Sequence, residues 1–189
     1  GDLGDLLLVH EVGDLRDQPP VAAILDQKHT VIVISVPAAD VLDHLGSEVT
    51  EIEGEFAGIG GHNFLPPEDS FVAAAVQVSP GGPAHVMLND RTAEHIPGCN
   101  MAFYKWALLE IGNFDPIYQR AGDDVDVCWR LQQRGYKLGF SPAGFVWHYR
   151  RSTVAGYLNQ QRGYGEAEAM LVRKHPEYFN VFGGSMWQG

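Results

Sequence analysis

A chain of 189 residues with 45% hydrophobic side chains is long enough to bury a core, which excludes a disordered polypeptide. Its 24 acidic against 13 basic residues give a formal net charge of −11, a balance that repels a phosphate backbone and excludes a nucleic-acid-binding surface. Two cysteines, Cys99 and Cys128, are too few for a disulfide framework or a thiolate zinc site and read as buried thiols in a reducing, cytoplasmic compartment.

The opening "GDLGDLLLVHEV" carries Asp2 and Asp5 where a signal peptide has positive charge, so no secretory leader is expected. Gly1 does not read as a natural beginning, which leaves open a piece of a longer protein. Further on, the β-branched run "TVIVISV" predicts a buried strand ended by Pro37, and "AADVLDHLG" a short helix closed by Gly46, together a strand-then-helix unit of the α/β kind. The most apolar runs, "TVIVISVPAADVL" and "FVAAAVQV", fall short of the about 20 residues a bilayer-spanning helix needs. No span is expected, and peripheral membrane association stays open.

Residues 56–100 read as loop-rich, with "GIGGHNFLPPEDS" and "SPGGPAH" punctuating a helix expected over 71–78. "PGCNMAFYKWALLEIGNFD" then predicts a Gly-bounded turn and a helix over 104–111, with Gly112 as its left-handed stop.

"AGDDVDVCWRLQQRGY" crowds Asp123, Asp124 and Asp126 into the start of a short amphipathic helix. Acids in a first turn accept hydrogen bonds from orphan N–H groups and face the positive end of the helix dipole, at about 0.3–1 kcal/mol each, which accounts for one acid better than for three. Val127, Cys128 and Leu131 make a buried stripe, and the helix should stop at Arg134 and Gly135. "YKLGF" and "AGFVWHY", parted by Ser141 and Pro142, predict a strand pair or a strand and bend. Ser152 is a good N-cap for a long helix reaching Lys174 before Pro176, with Val154, Tyr157, Leu158, Gln161 and Leu171 on one face and Gly156, Gly163 and Gly165 weakening it.

The order of four blocks, "PGCNMAFYKWALLEIGNFD", "AGDDVDVCWRLQQRGYKLGFSP", "FVWHYRR" and "YLNQQRGYGEAEAML", resembles the C-terminal, acceptor-side half of a family 2 glycosyltransferase with a GT-A fold. The resemblance spans roughly residues 56–180, leaving 1–55 as a poorly matching N-terminal segment and 181–189 as a tail. It implies an α/β, partial GT-A fold of the nucleotide-diphospho-sugar transferase kind: a mixed sheet with flanking helices. The implied activity is inverting transfer of a sugar from a nucleoside diphosphate sugar to a carbohydrate or other hydroxyl acceptor, with Mg²⁺ or Mn²⁺ on the diphosphate.

On that resemblance Asp124 is the base and Asp123 its acidic neighbour, standing where glutamate is common. A neighbouring acid would raise the pKa of Asp124 and the helix N-terminus would lower it. His148 matches a position that approaches the metal; the other reading is a histidine satisfied by backbone at a strand edge. Arg150 and Arg151 would contact phosphate or form a solvated face; Gly98 and Asn100 would lie beside a sugar or simply make a turn. Gln160, Gln161 and Tyr164 would line an acceptor groove or pack the helix; Gly163 and Tyr164 replace the arginine and tryptophan of processive polysaccharide synthases, which argues against processive synthesis. Upstream, Ser35, Val36 and Pro37 occupy the end of the predicted strand where a D-x-D metal element belongs, and Asp40 and Asp43 fit a helix start better. A truncated or non-catalytic remnant acting as a binding module is therefore the competing reading. A hydrolase metal site finds no H-E-x-x-H spacing among the dispersed histidines.

Overall fold

In the computed structural model, which describes residues 6–8, 30–34, 56–79 and 84–189, seven strands form one mixed sheet. They are β1 (Leu6–Leu8), β2 (Thr30–Ile34), β3 (Phe56–Phe64), β4 (Val86–Met87), β5 (Thr92–His95), β6 (Asn100–Tyr104) and β7 (Lys137–Trp147), in the spatial order β1-β2-β6-β3-β7-β5-β4. β3 runs parallel to β7 and antiparallel to β6, while β5 runs antiparallel to β7. Helices α1 (Phe71–Gln77), α2 (Lys105–Glu110), α3 (Asp123–Gln133) and α4 (Val154–Lys174) flank it, followed by a 3₁₀ turn at Pro176–Tyr178. The architecture is α/β, consistent with part of a nucleotide-sugar transferase-like fold.

The "TVIVI" run forms a strand as its β-branched content requires. The helix expected over 38–46, with Asp40 and Asp43, and the strand end Ser35 to Pro37 lie outside the described residues. Ser70 caps α1 by accepting from the Ala73 N–H at 3.1 Å. Gly112 and Gly135 adopt φ of +82° and +87° just past α2 and α3, where a left-handed residue closes a helix.

Two strands in the centre of the sheet were expected as loop or turn. β3 carries glycines because its neighbours leave no room for side chains: a Cβ on Gly58 would lie 2.3 Å from the Phe103 ring, and one on Gly60 2.7 Å from Ile96. "NMAFY" is β6, paired with both β2 and β3, and its Met101, Ala102 and Phe103 are buried in the core. The two segments expected as a strand pair or as a strand and bend form a single strand, β7, interrupted by a bulge. Its register against β3 jumps from Gly61↔Ser141 to Asn63↔Val146, so Pro142 to Phe145 bulge out. Gly144 turns its carbonyl into the place a Gly61 side chain would occupy, 1.6 Å from that Cβ.

One core cluster joins Phe103 and Leu138 of the sheet, Ile96 just after β5 and Leu108 of α2 to Val127, Cys128 and Leu131 of α3, the expected stripe. A second gathers Tyr118, Trp129, Leu171 and Phe179, with Trp187 against it. The N-cap of α4 is Thr153, not Ser152: Thr153 Oγ1 accepts from the Gly156 N–H at 3.1 Å. The face expected for α4 is buried only in part. Val154 and Leu158 are exposed, and Gly163, Ala167 and Leu171 are buried, because small residues let α4 close on the Tyr118–Gly122 turn; a Cβ on Gly122 would lie 3.1 Å from that of Ala167.

Candidate active site

Gly122 opens α3 with a left-handed φ of +86° and offers no side-chain cap, so the acids that follow turn to other partners. Asp124 Oδ2 accepts from the Gly98 N–H at 2.9 Å, and its Oδ1 accepts from the Val125 N–H at 2.8 Å. His95, ending β5, brings Nε2 to 3.5 Å from Asp124 Oδ2, longer than an ordinary hydrogen bond. The other ring nitrogen, Nδ1, lies 2.9 Å from the Ala84 carbonyl, which orients the imidazole. Burial pushes the Asp124 carboxyl up; His95, first by contact and then by charge, and the Gly98 and Val125 N–H groups outweigh it, so the group sits below the usual carboxylate range and is ionised at neutral pH.

The carboxylate borders a hollow of about 320 Å³. Gly98, Asp123, Asp124, His148, Gln160 and Tyr164 all line it, so these expected site residues are brought together from four parts of the fold. Asn100, Arg150 and Gln161 are not among its lining residues. Asn100 is buried, and its amide donates to the carbonyls of His62 (2.9 Å) and Gly144 (2.8 Å), fixing the β3–β7 bulge. Arg150 is also buried, its guanidinium donating to Gln77 Oε1, Asn63 Oδ1 and His148 Nδ1.

Asp126, the third acid, is fully buried away from the hollow's lining. Its Oδ2 accepts from Arg130 Nε at 2.7 Å, and its Oδ1 meets Lys174 Nζ at 2.7 Å and His175 Nε2 at 2.8 Å, tying α3 to the end of α4. Burial raises its pKa, and these partners, His175 foremost, bring it below the ordinary value.

Burial, and then the charges of Arg150 and Arg151, lower the His148 pKa to about 4, so the ring is neutral. With Nδ1 accepting from Arg150, the neutral tautomer carries its proton on Nε2, a donor rather than a metal ligand. His148 so placed does not fit a divalent cation, and no cluster of three His, Cys, Asp or Glu suited to a metal occurs among the described residues.

Sequence reasoning missed His95 and Trp187. His95 meets Asp124 across 29 positions of chain, and no local spacing announces the pair. Trp187 lines the hollow from the last residues of the chain, its ring 5.2 Å from Trp129 and 5.7 Å from His95. Both cysteines are buried thiols outside any disulfide, and Cys99 is on the lining. No helix among the described residues is long and apolar enough to cross a membrane.

No protein-family model matches the chain, and no solved structure matches it. Curated relatives do. Over 91 residues the chain is 30% identical to the pre-mycofactocin glycosyltransferase of Mycobacterium tuberculosis, in both strain CDC 1551 / Oshkosh and strain ATCC 25618 / H37Rv. The match covers 48% of this chain but 19% of each relative, so the chain spans about a fifth of the length of the curated relatives it matches. Over about half its length, then, the chain is similar to a glycosyltransferase.

Proposed function

We propose that the chain carries the catalytic-base and acceptor side of an inverting glycosyltransferase of the family 2, GT-A kind, acting on a nucleoside diphosphate sugar. The observation that carries this reading is the ionised Asp124 carboxylate, fixed by Gly98 and His95, on the same hollow as His148, Gln160 and Tyr164. The similarity to a named glycosyltransferase supports the reaction class.

In this reading the acceptor hydroxyl donates its hydrogen bond to Asp124. As the hydroxyl oxygen forms its bond to the anomeric carbon, the proton passes to the carboxylate, and the anomeric C–O bond to the diphosphate breaks on the opposite face. The nucleoside diphosphate leaves with the bonding pair, and configuration inverts. A carboxylate with a depressed pKa is a weak base, so positioning supplies much of the acceleration. The Nε2–H of His148, fixed by Arg150 behind it, can donate to a phosphate or sugar oxygen, while Gln160 and Tyr164 supply hydrogen bonds and an aromatic face to the sugar. The divalent ion implied by the resemblance would need ligands from outside the described residues, and no step is assigned to it.

The test is sugar transfer from nucleoside diphosphate sugars by the protein and by Asp124→Asn, with thermal stabilisation by the nucleoside diphosphate measured alongside, with and without Mn²⁺. Transfer should fall about 10²–10⁴-fold in Asp124→Asn while the nucleotide still stabilises the fold. Unchanged transfer in that variant removes Asp124 from the chemistry. Neither nucleotide binding nor transfer would reduce the chain to a non-catalytic relative.

A further inference from the structure

The charge and wall chemistry of the hollow name the kind of acceptor it takes. Among the described residues that line it, three are acidic, Asp123, Asp124 and Glu168, and none is lysine or arginine. The cations Arg150 and Arg151 lie off the lining, next to His148 in the chain, and depress its pKa. Much of the remaining wall is carbon: Val86, Trp129, Leu171, Phe179 and Trp187. An anionic acceptor would meet like charges in a partly enclosed, low-dielectric space, whereas an uncharged ring would bury its apolar face at no such cost.

Trp187 is an aromatic part of the wall beside the Asp124–His95 contact, its ring tilted 40° to His95 at 5.7 Å. It is held there by an unusual anchor. Glu94, preceding His95 on β5, is fully buried, and its Oε2 accepts from the backbone N–H of Gln188 at 2.6 Å and of Gly189 at 3.0 Å. Its Oε1 has no hydrogen-bond partner among the described residues. A buried carboxylate half-satisfied in this way is costly for a fold to keep, and what it fixes is the backbone next to Trp187. Trp129, with the Tyr178 ring stacked on it at 4.2 Å, packs against the indole at 5.2 Å.

From this we infer that the hollow selects an uncharged hydroxyl acceptor with an apolar or aromatic ring face, that Trp187 is the specificity-determining platform on which that face stacks, and that Glu94 is the residue positioning it. The inference rests on the glycosyltransferase reading for the word acceptor, but the binding preference is independent of transfer.

Calorimetric titrations of the protein with phenyl β-glucoside, glucose and glucose 6-phosphate test it. Glucose 6-phosphate should bind about tenfold more weakly than glucose, a comparison that needs no variant. Trp187→Ala should weaken phenyl glucoside roughly fivefold to tenfold, and Trp187→Phe by much less, since a phenyl ring keeps part of the platform. Glu94→Ala should reproduce the Trp187→Ala loss, and Glu94→Gln, whose carbonyl still accepts an N–H, should restore most of it, a rescue that general loosening of the fold would not show. The inference is overturned if phenyl glucoside does not bind, if glucose 6-phosphate binds as tightly as glucose, or if folded Trp187→Ala binds phenyl glucoside as the parent does. Absence of both nucleotide binding and sugar transfer in the parent protein, with these binding differences intact, would instead sink the glycosyltransferase reading and leave the binding preference standing.

Discussion

Three neighbouring acids at the start of α3 share a helix end but not a role. Asp123 and Asp124 face the hollow, whereas Asp126 is sealed among Arg130, Lys174 and His175. None caps the helix in the ordinary way, from the N-cap position, because a left-handed glycine occupies that position. What distinguishes Asp124 is His95, which offsets the burial that would otherwise raise its pKa. Removing that imidazole by His95→Ala should therefore let the Asp124 pKa rise. The acid limb of the pH profile of kcat/KM should move to higher pH than in the parent, with a loss of activity at mildly acid pH that raising the pH partly restores. An acid limb at the same position in both proteins would show that the contact does not tune the base.

At the scale of elements, the helices were legible because their chemistry is local. Apolar spacing, Pro176 and the closing glycines Gly112 and Gly135 mark α2, α3 and α4 to within a residue or two. β3 and β6 were not legible, since glycine in a strand looks like loop until the approach of Phe103, Ile96 and Gly144 shows why side chains are excluded. The same geometry separates two glycine substitutions. Gly61→Ala would drive a methyl group onto the Gly144 carbonyl and should cost about 3 kcal/mol or more, an overpacking that backbone cannot yield to easily. Gly165→Ala, on an exposed position of α4 with nothing within 4 Å, should instead stabilise by about 0.5–1 kcal/mol. Urea denaturation of both variants checks the contrast, and equal midpoints would refute the strand geometry assigned to β3.

Across the whole molecule, Asp124, His148, Gln160 and Tyr164 were legible as a set only through the order of blocks that resembles a known family; His95, Glu94 and Trp187 were not, because contacts spanning 29 to 95 positions leave no local pattern. The same groups fix how stability should respond to pH. His148 has a pKa of about 4 in the folded chain against an ordinary 6.5, so between those values the unfolded chain binds a proton that the folded one refuses. Stability must rise with pH across that window and be lost as pH falls through it. Asp124 and Asp126 are depressed as well, so their contribution is present above the ordinary carboxylate value of 3.8 and is lost as pH falls further. The formal charge of −11 works the other way, since acidification relieves self-repulsion, but that long-range effect is screened by about 0.5 M salt while buried contacts are not. Thermal unfolding in such salt should therefore show a melting temperature that declines from pH 7 to 4 and more steeply below. His148→Gln should flatten the upper part of that decline and Asp124→Asn part of the lower. If His148→Gln follows the parent curve between pH 6.5 and 4, the imidazole is not the buried neutral group that the Arg150 contact describes.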